Sequence, residues 1–314
     1  MKVVRQYNSL SPQNRGAVVA LGNFDGVHLG HQAVLAAAKR EASSLGVPFG
    51  VLVFEPHPRE FFRPDGEDFR LTPMPVKARV LVALGADIIY ALPFDTEMAA
   101  KLAQEFVIDV LIRGLQIVHA VVGEDFRFGR GRSGDASVLG YMGEMEGFGT
   151  TSVRPVIGAE GEISSTHIRE LLRHGRPEEA AKMLGRSWAV QGRVRPGDQR
   201  GRSIGFPTAN LALDGYLKPA LGIYAIKIEV LSGAFAGKWF DGVGYVGKRP
   251  TFGKTDIILE ANLFDFKGDL YDAEISVEMR AFIRYDQKFD GVEALMAQMA
   301  KDAEKARALL AAQK

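Results

Sequence analysis

Partway along the chain the spacing of apolar residues changes period, and this change narrows the architecture more than any single motif. In the first half, apolar runs at 17–21, Phe49–Phe54, Ile88–Leu92 and His119–Gly123 read as buried strands. Between them the spacing becomes helical: Val34, Leu35, Ala38, Ala42 and Leu45 share one face after His31, and 76–84 and 101–111 follow suit. Short strands separated by helices imply a parallel sheet with crossover helices, an open doubly wound α/β domain. Beyond about residue 185, strands are expected at 189–194, 222–230, 240–246, 257–264 and 273–283, with Gly and Pro between them and no helices. That pattern predicts an antiparallel β-barrel. A helix closes the chain: Asp290 and Glu293 are spaced as a capping box, and Val292, Leu295, Met296, Met299 and Leu309 recur at helical intervals. The boundary is placed after the helical stretch 177–184, giving domains 1–185 and 186–314. A length of 314 residues suits two domains.

Composition removes several classes of function. Lys plus Arg number 39 and Asp plus Glu 38, so bulk charge provides no surface for nucleic acid, although a small phosphate site remains open. With no cysteine there is no disulfide framework, thiolate metal site or cysteine nucleophile. The first residues, MKVVRQYNSL, lack a signal-peptide core, and no run of 18 apolar residues occurs. The expectation is a soluble, cytoplasmic protein that does not engage membranes.

The segment 22–31, GNFDGVHLGH, joins the first strand to the first helix. Gly22, Gly26 and Gly30 permit close ligand approach, and a helix N-terminus offers unpaired N–H donors and about half a positive charge. His28 and His31 stand three apart, so both can face one phosphate, whose charge would favour their protonated forms. A tight turn with two surface histidines is the plainer reading; the strand before and the helix after favour the phosphate site. Zinc is the weaker option, because nothing completes a ligand shell.

Three further clusters lie in this half. FEPHP fixes His57 between two prolines after the second strand, as a pocket wall or simply a rigid loop. The segment 123–129 offers Asp125, Phe126, Arg127 and Phe128, a ligand surface or an aromatic-capped turn. Ser164, Ser165 and Thr166 open a helix with Arg169 one turn in, an arrangement that suits a polyphosphate but also serves as an ordinary serine N-cap.

In this order, GNFDGVHLGH, FEPHP, VVGEDFRFGRGRSGD and ISSTHIR resemble the FAD synthetase (FMN adenylyltransferase) module of the prokaryotic bifunctional riboflavin kinase/FAD synthetase family. The segment 200–210, RGRSIGFPTAN, is similar to that family's riboflavin kinase signature, and GIYA, RPTF, LE and DLY follow as expected. The resemblance implies a Rossmann-like nucleotidylyltransferase domain followed by a kinase barrel with a C-terminal helix. It implies ATP-dependent phosphorylation of riboflavin to FMN with release of ADP, then adenylylation of FMN to FAD with release of pyrophosphate. By the same analogy Gly22, Phe24, Asp25, Gly30, His28 and His31 hold the nucleotide, while Ser165, Thr166 and Arg169 close on the polyphosphate. His57, Asp125, Phe126, Arg127 and Phe128 surround the flavin and adenine. In the kinase half, Gly201 and Gly205 let a loop wrap ATP, and Thr208 and Asn210 supply hard oxygens for Mg²⁺. Glu260 corresponds to the catalytic base, although periodicity alone makes it an ordinary strand glutamate.

Three positions depart from the family pattern, all in the kinase half: Tyr245 in place of a small or amide residue, Asn262 in place of a histidine, and Asp286 in Arg284-Tyr285-Asp286 in place of a glutamate. Two competing readings share part of the signal. A nucleotidylyltransferase for another small acceptor explains HxGH but not GFPTAN. A flavin-binding electron carrier would retain its flavin, whereas a synthase releases FAD.

Overall fold

The computed structural model describes residues 2–159, 161–195, 208–251 and 254–313. Contacts divide the chain into two units, Met1–Glu67 with Thr72–Ser164, and Asp68–Leu71 with Ser165–Lys314.

The first unit is built on a parallel sheet of β1 (Lys2–Val4), β2 (Val18–Leu21), β3 (Phe49–Phe54), β4 (Ile88–Leu92), β5 (His119–Gly123) and β8 (Gly149–Val153). Arg127–Phe128 and Gly134–Asp135 form a short ribbon, β6 and β7, and Ile157–Gly158 and Gly161–Glu162 form another, β9 and β10. The order in the main sheet is β1-β4-β3-β2-β5-β8, with every neighbour parallel. The strands read as unbroken apolar runs because helices cover both faces. Val19, Leu21, Leu52 and Val122 pack with Val107, Val110, Leu111 and Leu139 on one side. Val18, Ala20, Val51 and Val121 pack with Leu35, Ala38, Ala78 and Leu81 on the other. The chain leaves β2 toward β3 and later returns to lay β5 on its opposite flank. The loops after β2 and β5 therefore diverge at a topological switch point, where open α/β sheets bind ligands. The expected helix at 101–111 is replaced by Ala103–Glu105 and a π-helical turn sequence, Phe106–Leu115.

The second unit is a six-stranded antiparallel sheet, as the strand spacing predicted. Its strands are β11 (Trp188–Arg193), β12 (Ala209–Ala212), β13 (Gly222–Val230), β14 (Trp239–Thr251), β15 (Lys254–Leu263) and β16 (Glu274–Tyr285), in the order β11-β16-β13-β14-β15-β12. A bridge in which the Arg195 N–H donates to the Asn210 carbonyl at 2.9 Å joins the two ends and nearly closes the barrel. Helix Val292–Ala311 lies on the outer face, burying Ala306 and Leu310 against Ala225, Ala281 and Ile283. The paired Arg284 and Asp302, Nη2 to Oδ2 at 2.7 Å, fasten it there. The expected capping box does not form. Gly291, at φ 106°, is the N-cap and gives no side-chain cap, so Asp290 lies one residue too early.

Helices Ser165–Arg173 and Pro177–Leu184 belong to this second unit. Ala220 N–H donates to the Leu172 carbonyl at 3.0 Å, and Tyr285 Oη to the His174 carbonyl at 3.4 Å. The 185/186 boundary expected from the sequence thus falls inside the compact unit, after its first two helices.

Candidate active sites

The loop after β2 folds back on itself before helix α1 (Leu29–Leu45) begins. His28 is the N-cap: its Nδ1 accepts the His31 N–H at 3.3 Å. An Nδ1 that accepts carries no proton, which leaves Nε2 as the ring's donor atom. The His31 ring stacks on His28 with centroids 3.6 Å apart, so the structure does bring the two together. A Cβ on Gly30 would lie 3.1 Å from the His28 ring, so the glycine makes room for the imidazole.

Asp25, assigned to the nucleotide by resemblance, supports the loop from within. It is buried, and its Oδ1 accepts the Thr72 N–H at 3.0 Å. Thr72 Oγ1 in turn accepts the Gly26 N–H at 2.8 Å. Lys77 Nζ donates to the Asn23 carbonyl at 2.7 Å. Neither Thr72 nor Lys77 was singled out in the sequence. A lysine inside the apolar spacing of 76–84 was the available signal, because a charged residue is rarely buried without a task.

His57 also caps a helix, Pro58–Phe62, with Nδ1 accepting the Arg59 N–H at 3.0 Å. Asp125 lies against Gly123, and Phe126 and Phe128 stack with centroids 5.5 Å apart. Arg127 is exposed and donates to the Phe126 carbonyl. Around these the structure gathers aromatics that sequence reasoning missed. Phe54 meets Phe94 (5.2 Å) and Phe106 (6.2 Å), Phe94 meets Phe61 (5.4 Å), and Phe106 meets Phe128 (5.7 Å). They come from the carboxyl ends of β3, β4 and β5 and from the helices after them. Scattered through 54–128, they carry no local pattern.

Ser165, Thr166 and Arg169 lie in the other unit, at the start of helix Ser165–Arg173. Arg169 is buried there; its Nε donates to the Phe69 carbonyl at 2.8 Å and its guanidinium lies 5.2 Å from that ring's centroid.

On the barrel the register assembles a second polar cluster. Asn210 of β12 and Tyr245 of β14 both stand directly opposite Glu260 of β15, so the three side chains share one face. Leu211, Leu259, Ala261 and Val246 point the other way and are buried, which makes the polar row the outer face. Tyr245 lies across Gly247, whose missing Cβ leaves the space, and its Oη donates to Asp286 Oδ2 at 3.1 Å. Burial, Asp286 and Glu260 push its phenol up to about 12. Two of the family departures, Tyr245 and Asp286, are thus bonded to each other, and Asn262 follows on the same face as Glu260. Thr208 precedes β12, and its carbonyl accepts the Asn210 amide N–H at 3.4 Å. Gly201 and Gly205 lie outside the described residues.

A FAD synthetase family model matches residues 10–167 and a riboflavin kinase model matches residues 184–310. Over 304 residues the chain is 40% identical to the bifunctional riboflavin kinase/FMN adenylyltransferase of Escherichia coli K12, covering 96% of each. The chain belongs to the bifunctional riboflavin kinase/FMN adenylyltransferase family. Other members of this family include those of Pseudomonas fluorescens (38% identical over 99% of this chain and 98% of that one) and Bacillus subtilis (37%, 97% and 96%). The fold also matches a crystal structure from Streptococcus pneumoniae described as a macrolide-efflux protein, with a TM-score of 0.86 and 31% identity over 98% of this chain and 99% of that one. Among the described residues no helix is long and apolar enough to cross a membrane.

Proposed function

We propose that this chain phosphorylates riboflavin to FMN with ATP and adenylylates FMN to FAD, one reaction in each half. The observation that carries the reading is the pairing of a FAD synthetase match with a riboflavin kinase match along one chain. Each match coincides with a built cluster: the capped histidine loop at the switch point and the polar row on the barrel.

In the first half, a phosphate oxygen of FMN attacks the α-phosphorus of ATP, the bond to the β-phosphate breaks, and pyrophosphate leaves. Such a transfer needs in-line positioning and stabilisation of phosphate charge more than covalent help. His28 and His31 stand stacked on each other at the start of α1. Gly22, Phe24 and Gly30 shape the loop, and Asp25 holds it from within. The aromatic group of Phe54, Phe94, Phe106 and Phe128 supplies flat apolar surface for an isoalloxazine ring, with Phe126, Arg127, Asp125 and His57 at its margin. Family resemblance assigns the ATP polyphosphate to Ser165, Thr166 and Arg169; in this structure Arg169 also secures the Phe69 carbonyl.

In the second half, the 5′-hydroxyl of riboflavin attacks the γ-phosphorus of ATP and ADP leaves. Glu260, half-buried on the outer face, receives the hydroxyl proton. Mg²⁺ is part of the proposal. Thr208 and Asn210 would offer it hard oxygens, with Asn210 directly opposite Glu260. Bound there it would neutralise phosphate charge. Gly201 and Gly205 are assigned to the nucleotide by resemblance alone. We place the enzyme in the cytoplasm, with domains 1–185 and 186–314 as the units of activity.

The test is incubation with riboflavin, ATP and Mg²⁺ followed by separation of flavins. FMN followed by FAD, both released, is expected. Flavin retained without turnover would favour an electron carrier, and adenylylation of another acceptor with no FMN formed would favour a different nucleotidylyltransferase.

A further inference from the structure

Lys77 is only 2% exposed, on a helix, Met74–Ala83, whose other buried residues are Met74, Val76, Ala78 and Leu81. An ammonium in such surroundings is costly unless hydrogen bonds compensate it, and a methionine would fill the same space at no such cost. Its Nζ donates to the Asn23 carbonyl at 2.7 Å, inside the loop before α1.

That loop needs an external hold. Phe24 (φ 48°) and Val27 (φ 45°) both lie in the left-handed region, which residues other than glycine rarely adopt and a β-branched residue least of all. Such a backbone persists only where its surroundings over-determine it. The segment 72–77 provides three constraints: Lys77 Nζ on the Asn23 carbonyl, the Thr72 N–H on Asp25 Oδ1 at 3.0 Å, and Thr72 Oγ1 accepting the Gly26 N–H at 2.8 Å. In a trans peptide the carbonyl and the next N–H point in opposite directions, so fixing the Asn23 carbonyl toward Lys77 turns the Phe24 N–H away from it.

We infer that Lys77 is a positioning residue of the adenylyltransferase site: it holds the 22–28 loop in the form that receives the ATP triphosphate and places a fixed positive charge beneath it. This rests on the reading above that the loop binds ATP. The lysine acts through the loop backbone, so its removal is felt as lost ATP affinity as well as slower turnover.

The experiment uses the full chain carrying Lys77→Met, which keeps the length and loses the ammonium. FAD formation from FMN is followed at varied ATP, and riboflavin phosphorylation is measured on the same preparation. We expect the KM for ATP in FAD formation to rise at least tenfold, kcat to fall, and riboflavin phosphorylation to stay within twofold of wild type. Lys77→Arg, which keeps the cation but displaces its donors, should fall between, with a two- to fivefold rise in that KM. A KM for ATP within twofold of wild type in Lys77→Met overturns the inference, as does an equal loss of both activities. Should Lys77→Met fail to fold, Lys77→Arg decides: an unchanged KM for ATP overturns it. A wild-type chain that makes no FAD removes the parent reading as well; a wild type that makes FAD beside an unaffected variant removes this inference alone.

Discussion

The two sites are built by opposite means. In the first unit the site is a loop, and its shape depends on buried groups: Asp25 (3% exposed), His28 (6%) and Lys77 (2%) each spend a polar atom on loop or helix backbone. In the second unit the site is a strand face. Asn210, Glu260 and Tyr245 stand side by side through strand register, half-buried, while the core that fixes the register lies behind them in Leu211, Leu259 and Ala261. The difference bears on where sequence can drift. Replacing a buried loop-holding residue leaves an unsatisfied partner behind it, whereas a residue on an outer strand face can change without disturbing the barrel core. Tyr245 and Asn262 lie on that strand face and Asp286 at its margin.

The largest effect should come from breaking the loop site. His28→Ala with His31→Ala removes the helix cap and the imidazole donors together. FAD formation from FMN should drop a hundredfold or more, about the loss that follows removal of one charge-stabilising donor, while riboflavin phosphorylation continues. Parallel loss of both activities in a folded double variant would contradict two separate sites.

On the strand face, Glu260→Gln retains shape and an acceptor but not the base. It should lower riboflavin phosphorylation on the order of a hundredfold and leave the FMN-to-FAD step near wild type. Product analysis from riboflavin and, separately, from FMN measures both. Unchanged FMN production would remove Glu260 from the reaction and leave Thr208 and Asn210 as the residues assigned to the kinase site.

A third comparison sets a fragment of residues 186–314 against one of 165–314. Both should make FMN and no FAD. The longer one retains the buried Ile168, Leu171, Leu172, Met183 and Leu184, and burying even two such side chains is worth about 3 kcal/mol or more. Its urea midpoint should be clearly higher. Equal midpoints would show that the two helices add nothing to the barrel.

The smallest effect is expected from Tyr245→Phe, which breaks the bond to Asp286 on a half-exposed face. A two- to fivefold rise in the KM for riboflavin is the expected order, comparable to the loss of one hydrogen bond of about 1 kcal/mol or less. A change in FAD formation from FMN would instead tie this face to the other reaction.

Much of this protein is written locally. Runs such as 17–21 and Phe49–Phe54 are apolar without a break because both faces of the parallel sheet are covered, and this alone separates them from the alternating strands of the barrel. The GNFDGVHLGH loop and the strand reading of Glu260 were equally legible, since contiguous residues carry the turn, the cap and the period-two alternation. The short edge strands Lys2–Val4 and Gly149–Val153 were not, and the Asp290 capping box did not form because the helix starts after Gly291. Tertiary structure alone decided that Lys77 reaches Asn23 across 54 positions, that Asp25 turns inward to Thr72 across 47, and that phenylalanines from Phe54 to Phe128 meet. It also placed Tyr245 opposite Glu260 and drew the helices after Ser164 to the barrel. The physical reason is one of range. Backbone preference and amphipathic period act over a few neighbours, whereas which strand lies beside which, and which side chain fills the space behind a loop, depends on packing the whole core at once.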